Sequence, residues 1–203
     1  MKGRIAAPPD APTREAFEAR VRSLCEAEAW RDAASLTIEG YGPELMGMLV
    51  ALASPKSLAH DRFSEVCLAL CQDLPGFRWR SSLRTWLYAI ARHCVLHARR
   101  APDARLPHLP LSQSPEIQAA VAHVRTSTAP YLRSEAKDQF AALRAELSQD
   151  EQMLLILRVD RNLGWRDVAE ILEESEPALR KRFERLKARL VQMAKERQLF
   201  VDR

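Results

Sequence analysis

Arginine and aromatic side chains are concentrated between Gly76 and Arg100, where the chain reads GFRWRSSLRTWLYAIARHCVLHARR. This stretch contains six arginines and no acidic residue. Trp79, Trp86 and Tyr88 are interleaved with the arginines. Guanidinium groups pair with phosphates and aromatic rings stack on bases, so the combination suits a polyanion that also carries flat rings. An ordinary solvated arginine face is the alternative, because runs of charge usually face water.

The same stretch has the spacing of an amphipathic helix. Its apolar residues recur with the period of an α-helix and predict one buried stripe: Leu83, Trp86, Leu87, Ile90 and Cys94. Ser81 or Ser82 is placed to cap this helix after the loop 77–81. Arg84, Tyr88 and Arg92 share another face. We therefore predict that these three side chains are exposed and that Trp86 lies in the core.

A second basic helix is predicted near the C-terminal end. Residues 177–197 hold eight basic and two acidic residues, and Ser175 is placed to cap the helix. Its predicted buried stripe is Leu179, Phe183, Leu186 and Leu190, and its predicted outward residues are Arg180, Lys181, Glu184, Arg185 and Lys187. A short helix over Trp165–Leu172 precedes it after a tight connection, which is typical of a helix-turn-helix that reads duplex DNA.

The composition predicts an all-α globular protein. Of its 203 residues, 47% are hydrophobic, 29% are charged and only six are glycine, and few β-branched residues alternate. The net charge is +4, but residues 141–176 hold nine acids against four arginines. Two basic helices separated by an acidic block suggest two contacts with one long polyanion.

The sequence lacks the signatures of several classes of protein. No apolar run approaches the ~20 residues of a membrane span, and the first residues resemble no signal peptide, so we expect a cytoplasmic protein without a membrane partner. There is no nucleophile–base pairing, glycine-rich phosphate loop or metal motif, so we expect no enzyme, cofactor, metal or small-molecule substrate. The residue types of one group could bind zinc: Cys67, Cys71, His93, Cys94 and His97. Buried reduced cysteine is the commoner state, so we expect no zinc site there.

Proline positions and apolar periodicity divide the chain. We predict an N-terminal extension with one helix (1–30), a helical domain (31–100), a proline-containing linker (101–130) and a second helical domain (131–203). Pro43 predicts a bend in the second helix, and a short helix across Glu116–Val124 is compatible with the linker. A helix over Leu58–Asp73 leaves Asp61, Glu65, Leu68 and Gln72 outward. This outward row suits a basic partner, with plain solvation as the alternative.

Three segments together resemble RNA polymerase sigma factors of the sigma-70 family, of the small two-domain extracytoplasmic-function type. SSLRTWLYAIARHCVLHARR is similar to the family's F-R-T-W-L-Y-R-I-A-R-N helix, and DRFSEVCLALCQDLPGF is similar to the helix before it. LSQDEQMLLILRVDRNLGWRDVAEIL and ALRKRFERLKARL resemble the two halves of the family's region 4. The likeness covers nearly all of residues 33–195 except the linker.

The resemblance implies a division of labour. A region 2 helical bundle would bind the clamp helices of the polymerase β′ subunit through Asp61, Glu65, Leu68 and Gln72. It would capture the melted minus-ten strand with Arg78, Trp79, Arg80, Arg84, Tyr88 and Arg92. A region 4 helix-turn-helix would bind the β flap and read the minus-thirty-five duplex with Arg180, Lys181, Glu184, Arg185 and Lys187. An anti-sigma factor is a further partner that the resemblance leaves open.

The chain departs from the family pattern at several positions. His93 replaces a common Asn, and Ser64 replaces a common Gln. The turn that usually reads Gly-Ile-Ser is Glu173-Glu174-Ser175 here, followed by Glu176. These carboxylates suit the helix dipole but oppose DNA phosphate. The alternative function is therefore a sigma-like or free-standing helix-turn-helix regulator whose C-terminal domain reads promoters weakly or not at all.

Overall fold

A computed structural model describes residues 11–53, 58–100, 114–128 and 138–197. All regular secondary structure in these ranges is helical, which confirms the predicted all-α class. The chain divides into two compact units, Met1–Leu132 and Arg133–Arg203. Residues 1–10 of the predicted N-terminal extension and residues 101–113 of the predicted linker lie outside the described residues. Within those residues no helix is long and apolar enough to cross a membrane.

The first unit is a bundle of helices around a central second helix. Its helices are α1 (Ala11–Glu26), α2 (Trp30–Leu52), α3 (Leu58–Asp73), α4 (Leu83–Arg100) and α5 (Pro115–Thr128), with a 3₁₀ turn at Leu74–Gly76. The apolar residues of α3 and of the turn after it form a buried stripe: Phe63, Val66, Cys67, Leu70 and Leu74. Burial of this stripe leaves the other side of α3 toward solvent, where the predicted docking residues lie.

The second helix is continuous through Pro43, the residue at which the sequence predicted a bend. Two glycines near Pro43 let neighbouring helices approach closely. A Cβ at Gly40 would lie 2.3 Å from Phe17 Cζ, and a Cβ at Gly42 would lie 2.7 Å from Val124 Cγ2. Because α1, α3, α4 and α5 all pack on α2, tertiary packing keeps the helix continuous where local propensity would break it.

Helix α5 belongs to the first unit, although its residues were predicted as part of the linker. It is longer than the expected Glu116–Val124 segment, and its apolar stripe packs mainly on α2: Ile117, Ala120, Val121 and Val124. Arg125 Nη2 donates hydrogen bonds to the His60 carbonyl at 3.0 Å and to Ser64 Oγ at 2.6 Å, which ties α5 to α3. The apolar spacing of these residues is that of a helix with one buried face.

In the second unit, the predicted short helix and the predicted basic helix are both present and are joined by a turn. The helices of this unit are α6 (Asp138–Ala145), α7 (Gln149–Leu155) with a following π-helical turn at Ile156–Asp160, α8 (Trp165–Leu172) and α9 (Glu176–Glu196). A capping box formed by Ser148 and Glu151 begins α7. Leu147, Leu155 and Leu186 form a buried cluster against which Phe183 and Leu190 pack, so this cluster holds the basic helix α9 on its unit.

Candidate nucleic-acid interface

Three aromatic rings are in contact where the loop before α4 meets the first turn of α4. The Phe77 and Trp86 rings are stacked nearly parallel, 20° apart, with their centroids at 4.4 Å. The Trp79 ring contacts the Phe77 ring at a tilt of 49°, with centroids 4.9 Å apart. All three side chains are partly exposed. We call this group the aromatic stack; its partly exposed rings offer surfaces on which bases can stack.

The loop before α4 has an unusual backbone conformation at Trp79. Trp79 has a φ of 56°, in the left-handed region that a residue other than glycine rarely adopts. Such a conformation persists where surrounding contacts hold it, and here Trp79 contacts Phe77. Arg78 and Arg80 on either side are exposed. The loop therefore presents two cations beside a fixed ring, as phosphate and base recognition together require.

The predicted exposure of Arg84 and Tyr88 is wrong. Arg84 is only 3% exposed and Tyr88 is 0% exposed. Arg84 Nε and Nη2 donate to the two carboxylate oxygens of Glu44 at 2.7 and 2.9 Å. Burial acts to lower the pKa of Arg84, but the hydrogen bonds and charge of Glu44 raise it overall, so the Arg84 guanidinium stays charged.

The buried pair explains why α4 is rotated from the predicted orientation. A carboxylate supplied by α2 makes burial of the Arg84 charge tolerable, and the Arg84 guanidinium lies 5.7 Å from the centre of the Tyr88 ring. Leu83, Leu87 and Cys94 are buried as predicted, whereas Trp86 and Ile90 are partly exposed. Trp86 therefore lies in the aromatic stack and not in the core, where the sequence predicted it. Arg92, the third member of the predicted face, is partly exposed.

The predicted site residues do not include Phe77, although its loop was expected to contact DNA, and they do not include Trp86. The signal for Phe77 was present, because an aromatic residue directly precedes the arginines of the loop. Trp86 was assigned to the core since its spacing matches Leu83 and Leu87. Only the Glu44 partner of Arg84, 40 residues away in the sequence, decides which face of α4 is buried.

The outward residues of α3 form one surface, as predicted. Asp61 and Gln72 are exposed, and Leu68 is partly exposed between them. Glu65 accepts two hydrogen bonds from Arg62 Nη1, at 2.7 and 2.8 Å. Arg62 therefore offsets the charge of Glu65. Asp61 is left as the main negative charge of this surface, which we call the α3 face.

The predicted duplex-reading residues of α9 lie on the outside of the second unit. Arg180, Lys181, Glu184, Arg185 and Lys187 are all exposed. Three of them have partners in the unit: Lys187 pairs with Glu184 at 2.8 Å, and Arg180 lies 4.9 Å from the centre of the Trp165 ring. Arg158 lies 4.5 Å from the same ring, so the Trp165 side chain contacts two cations.

The acidic turn between α8 and α9 is partly neutralised within the unit. Glu174 pairs with Arg182 at 2.6 Å, and Glu176 pairs with Arg180 at 3.5 Å. Glu173 is exposed and has a φ of 56°, which ends α8 in the left-handed conformation. The turn therefore holds two arginines of α9 as well as presenting negative charge.

The cysteines are thiols in the described part of the chain. Cys25, Cys67, Cys71 and Cys94 are free, and burial raises the pKa of the Cys94 thiol to about 12. Burial raises the pKa of Cys67 further. Metals bind thiolates, so these groups are poor ligands. Among the described residues no group of three or more histidines, cysteines and carboxylates is placed to hold a metal ion.

Residues 37–105 match the protein family described as Sigma-70 region 2. The chain is also 32% identical over 124 residues to the RNA polymerase sigma factor YlaC of Bacillus subtilis, a match that covers 60% of this chain and 66% of YlaC. The chain belongs to the sigma-70 family. The prediction that it is a sigma factor of the extracytoplasmic-function type is also confirmed. The matched region contains the aromatic stack, the Glu44–Arg84 pair and the α3 face.

A further relative and a solved structure are also similar to this chain. The RNA polymerase sigma-H factor of Pseudomonas aeruginosa is 25% identical over 143 residues, covering 68% of this chain and 74% of that protein. The solved structure of the sigma factor RpoE from Bartonella quintana, in complex with the anti-sigma factor NepR, has the same fold, with a TM-score of 0.54 and 21% identity. That comparison covers 83% of this chain and 95% of RpoE.

Proposed function

We propose that this protein is a promoter-specificity subunit that binds core RNA polymerase and directs it to start transcription at particular promoters. The observation that carries the proposal is the aromatic stack flanked by exposed arginines, inside the segment that matches sigma-70 region 2. Membership of the sigma-70 family supports the same function. The protein would act by binding and positioning polymerase and DNA, with the chemistry of RNA synthesis supplied by the polymerase.

The first unit would capture the melted minus-ten strand. Phe77, Trp79 and Trp86 supply partly exposed rings for unpaired bases, and Arg78 and Arg80 supply charge for the phosphates between them. Single-stranded DNA is bound preferentially because bases within a duplex are already stacked on one another. Captured bases would hold the strands apart, which is the step that opens the promoter.

Replacing Trp79 with alanine tests this surface. We expect the holoenzyme to lose about 1–3 kcal/mol of affinity for the opened strand, because one stacking ring is removed. Permanganate footprinting of unpaired thymines measures the opening. Trp79→Phe is the matched control, since it keeps an aromatic ring, and it should retain most of the opening. Normal opening by Trp79→Ala would remove Trp79 from the proposed site.

The second unit would bind the upstream duplex through α9, with most of its contacts to phosphates. Lys181 and Arg185 are exposed cations on the outer side of α9. Glu184 is the residue suited to base reading, because a carboxylate can accept a hydrogen bond from the cytosine amino group. Its pairing with Lys187 at 2.8 Å holds it on the same surface. Weak duplex binding would be strengthened when the first unit is also engaged.

Neutralising the acidic turn should tighten duplex binding. The triple change of Glu173, Glu174 and Glu176 to glutamine removes repulsion of phosphates and releases Arg180 and Arg182. We expect a higher affinity and a salt dependence steeper by about 1 for each released arginine that reaches a phosphate. Titration of the full chain against promoter duplexes at several salt concentrations measures both. Glu170→Gln is the control on α8, and affinity unchanged by the triple variant would place the turn away from DNA.

The competing function is a regulatory helix-turn-helix protein that acts without polymerase. Reconstitution separates the two: the purified chain is added to core polymerase, and transcript start sites are mapped with and without it. Stable association and new, specific start sites support a sigma subunit. Promoter binding without polymerase, and no new start sites with it, would favour the regulator.

We also propose the β′ clamp helices, the β flap and an anti-sigma factor as partners, the last because RpoE of Bartonella quintana was solved with one.

A further inference from the structure

We propose that helix α1 is a working part of the strand-capture site, in which Glu18 positions the aromatic stack and Arg22 adds a cation at its edge. This inference rests on the proposed function of the stack. Both residues lie outside the segment that matches Sigma-70 region 2, which begins at residue 37. The sequence had assigned no role to the N-terminal helix beyond its formation.

The Glu18 carboxylate binds the N-terminus of α4. Leu83 N–H donates to Glu18 Oε2 at 3.0 Å, and Arg84 N–H donates to Glu18 Oε1 at 3.1 Å. The Tyr41 hydroxyl donates to Oε1 at 2.7 Å. A carboxylate is favoured here because it meets the positive end of the helix dipole as well as two amide donors.

Glu18 completes the capping of α4, which its own loop leaves unfinished. The amides that begin an α-helix lack partners within the helix. Thr85 N–H donates to Ser82 Oγ at 3.0 Å, and Trp86 N–H makes the first i→i−4 bond of the helix itself, to the Ser82 carbonyl at 3.1 Å. All four amides of the first turn of α4 therefore have acceptors. Two of these acceptors belong to Glu18, which precedes Leu83 by 65 positions and Arg84 by 66.

This first turn carries Trp86 into the aromatic stack. The amide of Trp86 is the last of these four, and its ring lies 4.4 Å from Phe77 in the preceding loop. If the turn frays, the backbone that holds Trp86 against Phe77 is no longer defined. The carboxylate of Glu18 thus acts on the stack through the backbone of α4.

Helix α1 is itself held firmly enough to position α4. The Phe17 ring meets the Tyr41 ring edge-on at 5.2 Å, and it fills the space left by Gly40. Burial, followed by the hydrogen bond to Glu18, raises the pKa of Tyr41, so its hydroxyl stays a donor. Val21 is fully buried. These contacts fix the height and rotation of α1 against α2.

Arg22 extends the same site from one turn further along α1. Its guanidinium lies 5.7 Å from the centre of the Trp79 ring, and its side chain is 57% exposed. Glu26 is its partner at 3.1 Å, in an exposed pair. Exposed ion pairs exchange readily, so a DNA phosphate beside Trp79 can replace Glu26 as the partner of Arg22.

The isosteric change Glu18→Gln separates positioning from packing. Glutamine fills the same volume, but whichever way its amide is turned, its NH₂ group faces one of the two α4 amide donors. With the reconstituted holoenzyme and a fluorescein-labelled, mixed-sequence single-stranded oligonucleotide, we expect roughly tenfold weaker binding, the factor for one lost charge-assisted hydrogen bond. Association with polymerase should be unchanged, and the near-ultraviolet circular dichroism of the stacked rings should fall. Glu15→Gln, an exposed carboxylate of the same helix, is the matched control and should match the wild type.

The exposed residue Arg22 keeps the test decisive if Glu18→Gln disturbs folding. Arg22→Ala should bind the oligonucleotide more weakly than Arg20→Ala, its exposed control, with a salt dependence shallower by about 1. Wild-type strand affinity in Glu18→Gln, or an Arg22→Ala variant that behaves like Arg20→Ala, would overturn the role of α1. Failure of the wild-type holoenzyme to bind the oligonucleotide would instead overturn the proposed function.

Discussion

Removing either member of the Arg84–Glu44 pair should destabilise the first unit by about 3–5 kcal/mol, because the remaining charge would stay buried after losing the group that makes two hydrogen bonds with it. The side chains are only 3% and 5% exposed, so water cannot replace the lost partner. Chemical denaturation of the full chain, followed by tryptophan fluorescence, measures the loss for Arg84→Ala and for Glu44→Ala.

The double variant Arg84→Met/Glu44→Leu distinguishes a lost ion pair from lost packing. Two apolar side chains of similar size leave no buried charge, so we expect this variant to recover most of the stability. The exposed Arg22–Glu26 pair supplies the matched control, and Arg22→Met should change the free energy of unfolding by less than about 1 kcal/mol. An Arg84→Ala variant as stable as the wild type would show that Arg84 is hydrated in solution, and would return it to the set of DNA-binding candidates.

The identity of the helices followed from the sequence because the signals that specify them are local. The capping box at Ser148 and Glu151, the apolar stripe of α3 and the turn before Trp165 depend on residues within one or two turns. The sigma-70 family was predictable on the same basis, from a contiguous run around Trp86 that matches the region 2 pattern.

The arrangement of the interface was less predictable, because it depends on partners distant in sequence. The orientation of α4 follows from Glu44, which neutralises Arg84 and turns Trp86 outward. The continuity of α2 through Pro43 depends on helices that pack over its glycines. Hydrophobic spacing assigned Arg84 to solvent because a pattern of residue types contains no information about a carboxylate 40 residues away.

Reversing the charge of Asp61 should cut association with core polymerase by several kcal/mol, if the α3 face docks on basic clamp helices, because like charges at an interface cost about that much. Asp61→Lys is easier to interpret than a change at Glu65. Glu65 is already paired with Arg62 at 2.7 Å, so a change at Glu65 would also release a cation. Asp61 is exposed in the first turn of α3, and lysine there should leave the fold intact apart from a small loss of helix-dipole energy, about 0.3–1 kcal/mol.

The matched control for this prediction is Glu39→Lys, which makes the same charge change at an exposed position of α2. Both variants alter the net charge equally, so any difference between them reports the α3 face and not general attraction to the polymerase. Pull-down and titration with fluorescently labelled core polymerase should show strong loss for Asp61→Lys and near wild-type binding for Glu39→Lys. A further change, Leu68→Ala, should add a loss at the apolar centre of the face, because that residue lies between Asp61 and Gln72. Equal association of Asp61→Lys and Glu39→Lys would move the polymerase contact away from α3.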